Sequence, residues 1–270
     1  MAKRVESPSS INTFKQCPRK YYYQYIELLP TVPNIHQIRG NIAHSTLEKF
    51  YDLDVSKYDE KDYEQQLKTA IQQLFLRQWN NEYPRLFELN LTKDQLRFYF
   101  EETMLMLMNW VNHFLEELER VKKKGASLAD AFEKLTPIRE QKYISEKYSV
   151  QGFIDAIHHQ EDGVHIIDYK TNANFDFKDA IKLQLAIYSL LYQEKHGESP
   201  SKVGIFFLRH KLKLMKVDQE LLELAKKEIE LIHAHTSILE GKEDYPQIIT
   251  PLCRWSTGQC DFYEACKPHG

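Results

Sequence analysis

Apolar positions along the chain follow two different periods, and the change between them falls near Pro137. From about Ser9 to Lys124 the spacing is helical almost throughout. Thr92 is a good N-cap, and Leu96, Tyr99, Phe100, Met104, Leu107, Val111, Phe114, Leu115 and Leu118 follow at helix-face intervals. That stripe predicts a buried helix face rather than a ligand groove. Lys122, Lys123 and Lys124 before Gly125 suit a helix C-terminus, where cations face the negative end of the helix dipole. Beyond Pro137 the period becomes two. Ile138–Val150 predicts one long strand or a strand pair, Gly152–His159 a strand, and Val164–Lys170 another. A helix over Lys178–Lys195, strands over Lys202–Leu208 and Leu212–Val217, and a helix from Asp218 to Leu239 complete the pattern. The tail from Gly241 has little periodicity. With no internal repeat and no linker, the helical half is expected to pack on the sheet half as one unit.

Composition narrows the class. The 270 residues carry 36 Lys plus Arg against 39 Asp plus Glu, a net charge of −3, which excludes a binder working by bulk positive charge. At 42% hydrophobic and 28% charged the chain is too apolar to be disordered, and 16 Tyr with 14 Phe predict an aromatic-rich core. The opening MAKRVESPSS lacks an apolar secretory segment, and no stretch approaches the ~20 apolar residues of a spanning helix. A cytoplasmic protein without a membrane partner is therefore expected. Four cysteines are too few for a disulfide scaffold, and three of them crowd the tail at Cys253, Cys260 and Cys266. With Cys17 they make four thiolates, a set that holds either a [4Fe–4S] cluster or a zinc ion.

Candidate chemistry lies on the predicted strands. Residues two apart on a strand share a face, so Asp168 and Lys170 project together. If Asp162-Gly163 forms a two-residue turn, Glu161 pairs with Val164, Asp155 lies opposite Lys170, and Asp168 lies opposite Ile157. Two carboxylates and an ammonium then share one patch of sheet. Adjacent carboxylates resist joint ionisation unless a cation sits between them, and such oxygen-rich sites suit Mg²⁺ or Mn²⁺. The alternative is a surface hairpin with an ordinary Asp–Lys ion pair. Lys3, Arg4, Lys15, Arg19 and Lys20 form one local basic run, and Lys202, Arg209, Lys211, Lys213 and Lys216 another. Both suit phosphate contacts or a solvated surface. His158-His159 and His233-x-His235 lack metal-like support and are expected to lie outside the site.

Taken in order, the motifs resemble the PD-(D/E)XK nuclease superfamily, in the RecB-like branch that includes CRISPR-adaptation nucleases and AddB-type recombination nucleases. Ser7-Pro-Ser-Ser-Ile-Asn-Thr-Phe-Lys-Gln-Cys17-Pro-Arg-Lys-Tyr-Tyr-Tyr-Gln-Tyr25 is similar to the opening of that branch. Gly40-Asn-Ile-Ala-His44, Gly152–Asp155, Asp168–Lys170 and Gln184-Leu-Ala-Ile-Tyr188 match its successive motifs. The resemblance implies a restriction-endonuclease-like α/β core, a mixed sheet flanked by helices. A large N-terminal helical insertion and a cysteine-rich C-terminal clasp would complete it. The implied parts of this single unit are N-terminal helices over 1–51, the insertion over 52–135, the core over 136–240 and the clasp over 241–270. It implies metal ligation by His44, Asp155, Asp168 and the Tyr169 backbone carbonyl, with Lys170, Gln184 and Tyr188 beside the scissile phosphate. Cys17, Cys253, Cys260 and Cys266 would bind a [4Fe–4S] cluster. The long Cys253–Cys260 interval departs from the branch's shorter one, which keeps zinc as the alternative. The implied activity is metal-dependent DNA cleavage leaving a 5′-phosphate and a 3′-hydroxyl, on single strands or free ends. Helicases or CRISPR integrase proteins are the implied partners. A catalytically idle DNA-end-binding subunit on a helicase is the competing class.

Overall fold

Capping side chains start the helices that matter most to the site. The structure, a computed structural model, describes residues 4–255 and 258–268. Lys3, one of the basic residues singled out above, lies outside them. Helix α1 (Pro8–Gln16) begins with a reciprocal pair between Ser7 and Ser10 and with Pro8 in its first turn, where the missing N–H is harmless. Helix α2 (Pro18–Tyr21) follows at once and runs into a wide turn over Tyr22–Ile26. Helix α3 (Ile35–Phe50) starts on an Asn34–Gln37 capping box. Helices α4 (Tyr63–Glu88), α5 (Lys93–Lys122) and α6 (Leu128–Leu135) form the remainder of the helical half. Thr92 caps α5 as the sequence predicts, with Gln95 returning the hydrogen bond.

The sheet half contains β1 (Ile138–Ser145), β2 (Val150–Gln160), β3 (Gly163–Lys170), α7 (Asp179–His196), β4 (Lys202–Phe207), β5 (Leu212–Lys216) and α8 (Gln219–Thr236). The tail adds a two-stranded ribbon, β6 (Arg254–Trp255) with β7 (Gly258–Gln259), and a single turn, α9 (Tyr263–Cys266). The five main strands lie in sequence order. β1, β2 and β3 are antiparallel, α7 crosses over so that β4 runs parallel to β3, and β5 returns antiparallel. One side of this mixed sheet is covered by α3 to α6, through Ile42, Leu47, Phe50, Trp110 and Phe114 against Ala156, Ile167 and Phe206. The other side is covered by α1, α7 and α8, through Ile11, Leu185, Leu191 and Ile229 against Val150, Ile166 and Ile205. Among the described residues no helix is long and apolar enough to cross a membrane.

Of the two readings of Ile138–Val150 the structure takes the strand pair: β1 and the start of β2, separated by a turn in which Ser149 takes a left-handed φ of 50°. One sequence expectation is corrected here. The β2–β3 turn falls on Glu161-Asp162, with Gln160 paired to Gly163, and not on Asp162-Gly163. Asp162 holds that turn through Lys202 and His165. Gly163 opens β3 at φ 112°, where any Cβ would come within 2.9 Å of Ser201. The register moves by two positions, so every side chain keeps its face. Ile157 therefore pairs with Ile166, and the ladder closes at Ala156–Ile167. The next positions, Asp155 and Asp168, stand across from each other at its open end.

Candidate active site

Five elements deliver the site. β2 supplies Asp155, β3 supplies Asp168, Tyr169 and Lys170, α3 supplies His44, α7 supplies Gln184 and Tyr188, and β1 supplies Glu140. The ladder between β2 and β3 ends where it does because the Asp155 carboxylate, not a strand carbonyl, accepts the Tyr169 N–H at 2.8 Å. The same Asp155 oxygen stands 3.3 Å from His44 Nδ1. His44 Nε2 lies 2.9 Å from the Tyr169 carbonyl, which can only accept, so Nε2 carries a proton.

Asp168 is 2% exposed. Its Oδ1 accepts from Gln184 Nε2 at 2.7 Å, and Gln184 also reaches the Tyr188 hydroxyl at 2.8 Å. Oδ2 faces Lys170 Nζ at 2.8 Å yet makes no well-angled hydrogen bond. α7 can come this close because β2 has glycine beneath it: a Cβ on Gly152 would sit 2.9 Å from the Tyr188 ring.

The electrostatics are those of a crowded, part-dry cluster. Burial pushes the Asp168 carboxyl up, Lys170 opposes this, and Asp155 adds to it. Burial would lower His44, but its hydrogen bond and charge interaction with Asp155 carry it to about 9. Burial likewise would lower Lys170, and Asp168 reverses the sign. Glu140 is pushed up to about 7, by desolvation first and Asp155 second, although its outer side is open to solvent.

His44, Asp155, Asp168, Tyr169, Lys170, Gln184 and Tyr188 are thus brought together by the fold, with one neighbour that sequence reasoning did not single out. Glu140 sits on β1 across from Asp155 in a left-handed conformation, φ 48°, inside an otherwise regular strand pair. Ligand atoms of His44, Glu140 and Asp155 all lie within 4.8 Å of one another. Two carboxylates with one imidazole, next to a buried Asp168 oxygen lacking a hydrogen bond, fit a hard divalent cation. The available signal was positional: a polar residue opposite a motif carboxylate on the neighbouring strand.

The four cysteines are free thiols that line one small cavity of about 40 Å³, together with Lys20, Tyr23 and Phe262. Cys17 arrives from the α1–α2 junction and the others from the tail. Burial raises the Cys260 and Cys266 thiols.

The basic runs are mostly engaged within the fold. Arg19 is buried and donates to the Tyr245 carbonyl, Lys15 pairs with Glu228, and Lys202 pairs with Asp162. Arg209 and Arg39 share Glu102, and Arg209 also donates to the Thr171 carbonyl just beyond Lys170. Of the histidine pairs set aside from sequence, His233 faces the Tyr148 carbonyl.

The open strand ends of the mixed sheet thus gather two aspartates and a lysine under a helix-borne histidine. The chain belongs to the PD-(D/E)XK nuclease superfamily, whose family model matches residues 6–267. It is 25% identical over 175 residues to the CRISPR-associated exonuclease Cas4 of Francisella tularensis subsp. novicida (strain U112), covering 63% of this chain and 85% of that protein. The crystal structure of a candidate exonuclease from Eubacterium rectale superposes with a TM-score of 0.48 at 10% identity, over 99% of this chain and 94% of the other.

Proposed function

We propose that the chain is a metal-dependent deoxyribonuclease, an exonuclease or end-processing enzyme of single strands in DNA repair, recombination or CRISPR adaptation. The observation that carries this is Asp168, buried between Lys170 and Gln184 with one oxygen lacking a hydrogen bond, beside the His44–Glu140–Asp155 group. A purely structural ion pair has little reason to be desolvated next to three further ligand-type side chains. The Francisella relative supports the exonuclease reading and a CRISPR setting.

Asp155, Asp168, Glu140 and His44 are the residues that would hold Mg²⁺ or Mn²⁺, and the imidazole among oxygen donors tilts the set toward Mn²⁺. When bound, such an ion supplies Lewis acidity toward a phosphoryl oxygen and makes a water molecule more acidic. Asp155 fixes β3 through the Tyr169 N–H, and the Tyr169 carbonyl keeps a second lone pair for the site beside His44. Lys170 remains an ammonium that orients a water and stabilises charge growing on the phosphate. Gln184 and Tyr188 hold Asp168 in place.

The cysteine cavity fits a four-thiolate group. Cys17, Cys253, Cys260 and Cys266 would hold a [4Fe–4S] cluster, with zinc as the alternative. It would tie the first helices to the tail and act structurally.

Cleavage of end-labelled single-stranded DNA and of a closed single-stranded circle, by wild type and Asp168→Ala, tests this reading. Metal-dependent shortening of the linear strand by wild type only is the expected result. Equal products from both proteins, or none from either, would leave an idle end-binding subunit as the better account.

A further inference from the structure

The metal-ligand group does not end at Glu140 and Asp155; the same two strands continue outward from it as an open face. Lys142 pairs with Phe153 one register step beyond Asp155, and Ile144 pairs with Gln151 one step further. The intervening Tyr143 and Ser145 are buried, so Lys142 and Ile144 point to the opposite, open side. Phe153 is 54% exposed and Ile144 56%. The Lys142 ammonium stands 5.6 Å from the centre of the Phe153 ring. Phe153 also borders a cavity of about 430 Å³ that holds Lys170, Gln184 and Asn12. A single exposed aromatic is ordinary on a protein surface. This one lies two residues, about 6.6 Å of strand, from Asp155 and shares a cavity with Lys170.

A cation beside an exposed ring is the pairing that receives a phosphate and the flat face of its base, and such stacking tolerates any base. The ring can be used only by a base with a free face, because a base inside a duplex is already stacked on both sides. We propose that Phe153, flanked by Lys142, is the platform on which the unpaired base next to the metal-held phosphate stacks. The substrate form selected at this site is therefore a single strand or a frayed end. This inference rests on the nuclease reading above and refines its substrate.

The test measures binding of a fluorescein-labelled oligodeoxythymidine by anisotropy in Mg²⁺, using Asp168→Ala to prevent cleavage. Adding Phe153→Ala should weaken binding between about 5- and 150-fold, the range for loss of one stacked base. Phe153→Trp in the same background should restore it. A strand of abasic sugar-phosphate units should bind both backgrounds alike, and matching melting temperatures would show the fold intact. Binding unchanged within twofold by Phe153→Ala, or an equal loss on the abasic strand, overturns the platform. Cleavage by the protein with native Asp168, measured alongside, separates the two readings. Cleavage with ring-independent binding overturns the platform alone. Ring-dependent binding without cleavage supports the platform and overturns the nuclease reading, and absence of both overturns both.

Discussion

Gly152→Ala is a one-carbon change whose consequences can be followed from β2 to the Asp168 carboxylate. The added Cβ would lie 2.9 Å from Tyr188 Cε1, 3.1 Å from Leu191 Cδ1 and 3.2 Å from Tyr188 Cδ1. Real Cβ contacts are rarely that short, so α7 or the ring must shift. Neither is free to do so, because Tyr188 is 5% exposed and Leu191 lies in the core beneath α7. Overpacking of this kind costs about 1–3 kcal/mol. For a chain of this length that predicts a melting temperature lower by roughly 2–5 °C. The larger effect should be on cleavage. Tyr188 receives a hydrogen bond from Gln184, and Gln184 donates to Asp168. Displacing Tyr188 therefore moves the group that orients Asp168, and a misplacement near 1 Å can cost ~10²-fold in rate. Thermal melting by circular dichroism and initial rates on a labelled strand read both effects. A variant that melts with the parent and cleaves at the parent's rate would refute the tight β2–α7 contact as the device that sets Asp168.

Lys170→Ala should keep DNA and metal binding near parental values while cleavage falls ~10²–10³-fold, because loss of one group stabilising transition-state charge typically costs that much; near-normal turnover would remove Lys170 from the chemistry. Glu140→Gln keeps shape and removes charge, and should weaken Mn²⁺ binding measured by calorimetry, whereas unchanged affinity would make Glu140 a bystander. Anaerobically purified protein should be brown with iron exceeding zinc, and Cys17→Ser or Cys260→Ser should bleach it and destabilise it by up to several kcal/mol, since closing a ~100-residue loop is worth ~5 kcal/mol. Asp168→Ala should instead stay brown and stable but inactive; one zinc per chain and no iron would overturn the cluster. His158 is held at about 4, by burial first and then by His165 and His159, against an ordinary 6.5. The unfolded chain thus binds the extra proton first, and stability should fall as pH drops from about 6.5 to 4, by about 3 kcal/mol at most. His158→Phe should flatten that slope in urea titrations, and an unchanged slope would assign it elsewhere.

The sequence reading succeeded where a residue's placement depended on local pattern, and failed where it depended on a backbone angle. Asp168 and Lys170 share a face simply because they are two apart on a strand, and Gln184 and Tyr188 meet because they are four apart on α7. The β2–β3 turn was placed one position too late, which shifts the register by two, because Asp162-Gly163 satisfies turn chemistry as well as Glu161-Asp162 does. Face parity survived the error, so the carboxylates still met. Glu140 was invisible because period-two reading assigns it an ordinary polar position, and nothing local announces its left-handed φ. The meeting of Cys17 with the three tail cysteines followed from family resemblance, not from spacing. Arg19, left open between a phosphate contact and a solvated surface, is buried against Tyr245, a placement that only the tertiary fold could reveal.

The central claim is that the Asp155–Asp168 cluster holds a divalent cation that cleavage requires. It is tested most directly by titrating Mn²⁺ into EDTA-stripped protein and measuring, in the same samples, bound Mn²⁺ by electron paramagnetic resonance and cleavage of a labelled single strand. The account predicts that rate rises in proportion to bound Mn²⁺ and that both vanish together in Asp155→Ala. Cleavage that persists in EDTA, or Mn²⁺ binding that is unaffected by Asp155→Ala, would contradict it.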